Sequence, residues 1–497
     1  MKRIASIMAT TALVLGLFAG SPTAVSATSF APSAEVDHWV SKGGRLVNDA
    51  SGGYSCSRPG YRLIADAADA AEPGDVIHVC RGTYTENDIE LPSDFSSGIT
   101  IQGDGPNRTF IDARGGGRIF INWNGFEEEA SDLDQLVASN LRIADMTLRN
   151  ADANDSDFST GLEGSGGLII GDSGDAFDDL GGAVLSAGRV ECNNVRFTGN
   201  HAEAGGAIAS LLGVTANRCS FTGNTSEYSG GAIWSLASVH DSGGVYTANA
   251  TEDDFGGAIF SNNLYGVVFA LEAAEASHLT SSFTNTAFSK NMGVDGGGAV
   301  AIELGCAEFT NSSFTRNSTN GAGGGLYLNE GSFNTLPFFF PGGIPDFDGL
   351  CQSEISGSKF ESNAAVSEMG SLNVGGGLAY FGGLDDSSTG LQFEYDDTVG
   401  LRMSSTTFKS NAAANGGAVF MDDGILRSLG GVYFNGNRAR QNGPGGLGGY
   451  GSGVYAVDQS VFTGDYGPDN KNRATFEPNT VVYHQNGTLD WDWVPIR

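Results

Sequence analysis

Residues able to do chemistry occur along this 497-residue chain in small separate groups. In DANDSDFSTGLE, Asp152, Asn154, Ser156 and Glu163 hold the first, third, fifth and twelfth places, the spacing at which oxygen ligands wrap a calcium ion. Asp157 stands where the sharp-turn glycine belongs and the flanks read as strands, so a solvated acidic turn is the competing reading. Calcium is the one cofactor for which the sequence offers a place; the run GDSGDAFDD (Asp172, Asp175, Asp178, Asp179) is a vaguer candidate for it. Aromatic residues and carboxylates mark two further stretches: Phe338, Phe339 and Phe340 lie between prolines, and Tyr395, Asp396 and Asp397 follow Glu394. Rings that cover sugar faces or apolar side chains, with carboxylates for hydroxyls or a cation, suit binding of a glycan or a protein. The plainer alternative folds the Phe run back onto its own flank. Aspartate pairs such as Asp253-Asp254 and Asp422-Asp423 are expected by composition alone, and the six scattered histidines read as surface residues.

What positions these groups is a repeat. The segments FTGNHAEAGGAIAS, FTGNTSEYSGGAIWS and YTANATEDDFGGAIFS follow one another from Phe197. F-x-x-N recurs at Phe197, Phe221, Tyr246, Phe288, Phe314, Phe360, Phe408 and Phe434, and Gly-Gly-small-aliphatic at Gly181, Gly205, Gly230, Gly256, Gly297, Gly324, Gly376 and Gly416. Uninterrupted copies lie 24 to 28 residues apart. That period signals a solenoid, because one unit cannot bury its apolar face without neighbours. Short alternating runs broken by Gly, Asn and Ser make the unit three short strands, one coil of a parallel β-helix. The Phe residues are expected to stack and the Asn residues to sit in turns, accepting left-handed φ and bonding to their equivalents. Replacing Asn317 is therefore expected to cost less than truncating Phe314. From each Gly pair to the next aromatic the distance is 16, 16, 32, 17, 36, 32 and 18 residues, so three long insertions share one segment of the coil. They fall within Asn263 to Ser282, Gly331 to Cys351 and Gly383 to Leu401, and their common face is the expected binding surface.

Repeated F-x-x-N with G-G-A-(I/L/V) resembles the passenger repeats of the polymorphic outer membrane proteins, within the right-handed, pectate-lyase-like β-helix class, over roughly Asn150 to Asp465. The resemblance implies right-handed coils, as parallel crossovers also favour. Earlier, YRLIADAADAAEPGD reads as a short helix capping the open end, followed by the strands VIHVCRGTY, GITIQGDG and RTFIDARG. This order is similar to the opening of many secreted β-helix proteins. The expected fold is thus all-β, with a signal peptide over 1–27, an extension over 28–60, the β-helix over 61–478 and a capping segment over 479–497. In that last segment Asn486-Gly487 signals a hairpin. Members of the family continue into a membrane barrel; this sequence stops at Arg497 without one, and a soluble mature chain is expected.

Lys2 and Arg3, the apolar run Ala12 to Ala19 and V-S-A at Ala27 form a secretory signal, which points to a secreted or surface location. The net charge of −32 makes nucleic acid an unfavourable partner, and an extracellular glycan or protein surface the expected one. Six cysteines in a secreted chain predict disulfides. Cys192 and Cys219 lie about one coil apart, Cys306 and Cys351 precede Phe314 and Phe360 by eight and nine residues, and Cys56 with Cys80 remain.

An enzyme of the polygalacturonase kind would carry G-H-G and R-I-K segments, which are missing. A pectate-lyase-like site would need calcium carboxylates facing a base, for which only Arg402, after Asp385, Asp386, Glu394, Asp396 and Asp397, is placed. The expectation is a non-catalytic secreted β-helix acting in attachment or in glycan or protein binding. The alternative is a polysaccharide lyase or glycoside hydrolase.

Overall fold

In a computed structural model the ring of Phe314 lies between those of Phe288 and Phe360, with centroids 4.8 and 4.5 Å away. The structure describes residues 36–47, 53–92, 98–123, 140–156, 179–263, 280–330, 352–365, 373–382, 400–422, 425–440, 451–457, 461–464, 475–476 and 482–485. The signal peptide, Phe338, Phe339, Phe340, Tyr395, Asp396, Asp397, Glu163 and Cys351 lie outside these residues. The chain forms right-handed parallel β-helix coils, divided into two compact units: residues 1–226 with 233–235, and 227–232 with 236–497.

In the first unit, Asp37–Val40, Val76–Val79, Ile99–Gly103, Leu141–Ala144, Val190–Asn193 and Val214–Asn217 pair in that order as one sheet. A second sheet runs from Gly82–Tyr84 to Ser220–Thr222, and a third from Ile89–Glu90 to Ile233–Ser235. The expected helix spans Ile64–Ala70 and buries Ile64, Ala67 and Ala68. Its N-terminus is satisfied from a distance, the Glu86 carboxylate accepting from the N–H groups of Ile64 and Ala65 at 2.7 and 3.1 Å. Asp37–Val40 already pairs in parallel with Val76–Val79, ahead of the helix. Disulfides join Cys56 to Cys80 and Cys192 to Cys219, with Cα atoms 5.6 and 6.5 Å apart. Cys192 is in register with Ala216, so its bridge reaches past the strand end to the buried Cys219 beyond the next corner.

The second unit repeats the three-sheet coil from Val239–Ser242 onward. Its rings stack in register as Tyr246, Phe288, Phe314, Phe360, Phe408 and Phe434, with centroids 4.5 to 5.2 Å apart. In the first unit Phe197 stacks on Phe221 at 4.7 Å. Cys306 is disulfide-bonded. Val482–Gln485, in the segment read as a hairpin or edge-covering cap, pairs in parallel with Val454–Val457, and the Asn486-Gly487 turn lies outside the described residues.

Two expectations about the motif need correction. The asparagines do not take the left-handed turn; the residue before each does, as at Lys290, Arg316, Ser362 and Ser410 with φ between 57 and 59°. That leaves each Asn side chain pointing inward into a ladder. Asn317 Oδ1 accepts from the backbone N–H and the Nδ2 of Asn291, while its Nδ2 donates to the Phe288 carbonyl and to Asn363 Oδ1. The left-handed corner glycines of two coils are Gly323 and Gly375, one residue earlier than the Gly324 and Gly376 read from the sequence, since Gly325 and Gly377 fill the place of the usual alanine. The second glycine of each pair is demanded by space: a Cβ on Gly231 would run into the backbones of Gly257 and Ala250.

Candidate functional site

Two oxygens of the acidic turn read as a calcium loop are engaged with protein. Asp152 caps the three-residue turn Ala153–Asp155 by accepting from the Asn154 N–H at 3.2 Å, and the Ser156 hydroxyl donates to Asp88 Oδ1 at 2.7 Å. Among the described residues no group of three or more His, Cys, Asp or Glu could hold a metal ion. Arg402 stands on the first sheet of the second unit, in register with Glu354 and Arg427.

A different group comes together on the third sheet of the second unit. Strands in the first two sheets alternate in burial, as Val239–Ser242 and Ser313–Thr315 do, whereas Ile259–Asn262, Val300–Glu303, Leu326–Asn329, Leu378–Phe381 and Val419–Asp422 are covered on both faces. Successive side chains point to opposite faces, so two rows face outward. One holds Phe260, Ala301, Tyr327, Ala379, Phe420 and Tyr455; the next holds Asn262, Glu303, Asn329, Phe381 and Asp422. All three long insertions leave from the ends of strands in this sheet, after Asn262, Asn329 and Phe381, within four neighbouring strands. At ~4.8 Å per strand these points span about 14 Å.

At the centre of that corner stands Glu303, which no motif in the sequence marked. Asn262 is its register partner, and each side chain is 8 % exposed. The Oδ1 of Asn262 has no hydrogen-bond partner among the described residues. Burial, and then the charge of Asp254, pushes the Glu303 carboxyl up to about 7, with no hydrogen bond to offset them. The other neighbour of Glu303 in its row is Asn329, whose Nδ2 donates to the Tyr327 hydroxyl at 3.3 Å. The ring of Tyr327 lies 5.1 Å from Phe255 and 5.2 Å from Phe381, between the small Ala301 and Ala379 of its own row. Burial and the Glu303 charge raise its phenol well above the ordinary range. Gly296 is required here, since a Cβ would press on the rings of Phe255 and Tyr327 at 2.8 and 3.0 Å.

Buried polar contacts hold the strand ends beside this corner. The Glu330 carboxyl accepts from the Ser353 hydroxyl and, at 2.7 Å, from the Tyr380 hydroxyl, which in turn takes the backbone N–H of Leu401. Glu330 precedes the second insertion, Ser353 follows it, and Leu401 follows the third, so one interior carboxyl ties three of their ends. Burial raises its pKa against those two hydroxyl bonds. At the first insertion the Ser261 hydroxyl donates to Asn263 Oδ1 at 3.0 Å, and the Ser281 hydroxyl accepts from the Val239 N–H at 3.0 Å. The arrangement amounts to two buried acceptors beside an aromatic ring on a rigid support.

The family model of the Chlamydia polymorphic membrane protein repeat matches residues 218–236, a stretch that contains one F-x-x-N and one Gly-Gly-Ala. No curated protein matches the sequence. Among solved structures the chain is similar to the A-module of a mannuronan C-5 epimerase of Azotobacter vinelandii, at 9 % identity over 86 % of this chain and 94 % of that one, with a TM-score of 0.28. It is similar also to the catalytic unit of an alpha-1,3-glucanase of Streptomyces thermodiastaticus, at 12 % identity over 94 % and 71 % of the two chains, with a TM-score of 0.30. A pectin methylesterase matches at 12 % identity over 94 % and 100 %, with a TM-score of 0.22.

Proposed function

We propose that this chain is an extracellular β-helix protein whose second unit binds a glycan at the corner built by Asn262, Glu303 and Tyr327. The observation that carries this reading is the pair of acceptors, Asn262 Oδ1 and the Glu303 carboxyl, held nine-tenths buried beside an aromatic ring with no donor among the described residues. An unsatisfied buried acceptor costs about 1–3 kcal/mol, and a sugar supplies the hydroxyl donors that these groups lack. The small residual exposure suits the end of a glycan chain rather than a long internal stretch. The disulfides fit an extracellular setting. Phe338, Phe339, Phe340, Tyr395, Asp396 and Asp397, carried by segments that leave from this same sheet, are not needed for the reading.

Affinity electrophoresis through gels containing soluble polysaccharides tests it. Retardation of the wild type in at least one gel, with at least a tenfold weaker effect for Glu303→Gln and for Tyr327→Ala, is expected. Equal retardation of all three proteins would move binding to another surface. A second reading rests on the same carboxyl: a group that stays protonated up to about pH 7 is able to hand a proton to a glycosidic oxygen. That polysaccharide hydrolase would release reducing ends from one of the gel polymers, and Glu303→Gln would stop it.

A further inference from the structure

Resting on the reading of this corner as a glycan site, we infer that its ligand is an amino sugar, whose ammonium group is held between Glu303 and Asn262. Two acceptors of the corner stand without a donor among the described residues: Asn262 Oδ1 lacks one, and the Glu303 carboxyl makes no hydrogen bond there. Of the two amide donors in the same row, Asn329 Nδ2 is engaged with the Tyr327 hydroxyl, which leaves the Nδ2 of Asn262. Neither outward row contains Lys, Arg or His, while the first carries Tyr327 and the second both Glu303 and Asp422; Asp254 adds a further negative charge acting on Glu303. A uronate would set its carboxylate against these groups in a place where burial weakens solvent screening, which costs more than the sugar hydroxyls return. A neutral sugar satisfies the acceptors but brings no positive charge to favour the ionised form of Glu303, which burial and Asp254 otherwise disfavour. An ammonium group does both, offering up to three donors and the opposite charge. The ring of Tyr327 stands one strand from Glu303, at the same corner.

The experiment is calorimetric titration of the full chain, at about 0.15 M salt so that diffuse attraction to the acidic surface is screened. Three probes are used: a glucosamine tetramer, its fully N-acetylated counterpart and a galacturonic acid tetramer. The expected result is at least tenfold tighter binding of the glucosamine tetramer than of the N-acetylated one, with no binding of the galacturonate. Glu303→Gln, checked for an unchanged melting profile at pH 6, should lose that preference to within about twofold. A glucosamine preference that survives Glu303→Gln is ordinary attraction to an acidic protein and overturns the inference. Equal binding of the two glucosamine forms by the wild type also overturns it, while leaving the glycan site standing if Tyr327→Ala weakens both. Should none of the tetramers bind, or should binding ignore Glu303→Gln and Tyr327→Ala alike, the site itself fails along with the inference.

Discussion

At the scale of single residues, the motif Phe and the motif Asn contribute more evenly than their types imply. Truncating Phe314, wholly buried between two stacked rings, should cost about 3–5 kcal/mol. The sequence alone ranks Asn317 below it. The ladder changes that ranking: Asn317→Ala removes the acceptor for the Asn291 N–H and the donor for the Phe288 carbonyl, both buried, so about 3 kcal/mol is expected by urea unfolding of the two variants. The one Tyr in the second unit's stack has a partner that explains it. Tyr246 donates to the buried Asp241 at 2.9 Å, and Asp241 also accepts from Thr286 Oγ1 and from the Gly244 N–H, filling the place that Phe283 fills in the next strand. Glu303 has no such compensation among the described residues, and its pKa, raised from 4.5 to about 7, sets a sign for pH dependence. The folded chain holds this proton more tightly than the unfolded one, so the contribution is complete below about pH 4.5 and is lost as pH rises through about 7. The stability difference between Glu303→Gln and the wild type should therefore grow in favour of the variant across that window, by at most about 3 kcal/mol at pH 8. A flat difference from pH 4 to pH 8 would show that the carboxyl is not buried as described.

Among elements, the third sheet behaves unlike the other two because it is covered on both sides. Its strands run as near-continuous apolar stretches, and Asn262, Glu303, Asn329 and Asp422 stand at their ends. The Glu330, Ser353 and Tyr380 contacts keep those ends in place. Tyr380→Phe takes the donor from Glu330 and the acceptor from the Leu401 N–H, and about 1–3 kcal/mol of destabilisation is expected. Hydrogen exchange supplies the sharper measurement, since the Leu401 amide should open faster while the amides of the Phe stack stay protected. Uniform acceleration across the second unit would contradict a local role.

Taken whole, the molecule keeps two kinds of feature in separate units: the capping helix and both fully described disulfides in the first, the insertion-bearing sheet and its acceptor pair in the second. The net charge of −32 acts on both, and self-repulsion at low ionic strength should lower the melting temperature; raising salt from about 10 to 150 mM is expected to raise it by several degrees. No change would mean that the acidic groups are spread too widely to repel. The sequence by itself determined the coil, because each Phe, Asn and Gly acts through its own equivalent one period away, and a period survives in one dimension. For the same reason it placed Cys192 near Cys219 and the three insertions at one corner. A trace of the candidate site was also legible: the coil position that holds Leu211 and Leu236 holds Asn262, Glu303, Asn329 and Asp422 further on, a polar substitution at an apolar place. Only the tertiary structure decided that Asn262 and Glu303 are neighbours, that both are buried, and that Tyr327 lies beside them. Burial and the lack of a donor are set by everything packed around a side chain, including chain far away in sequence, and no spacing rule carries that information.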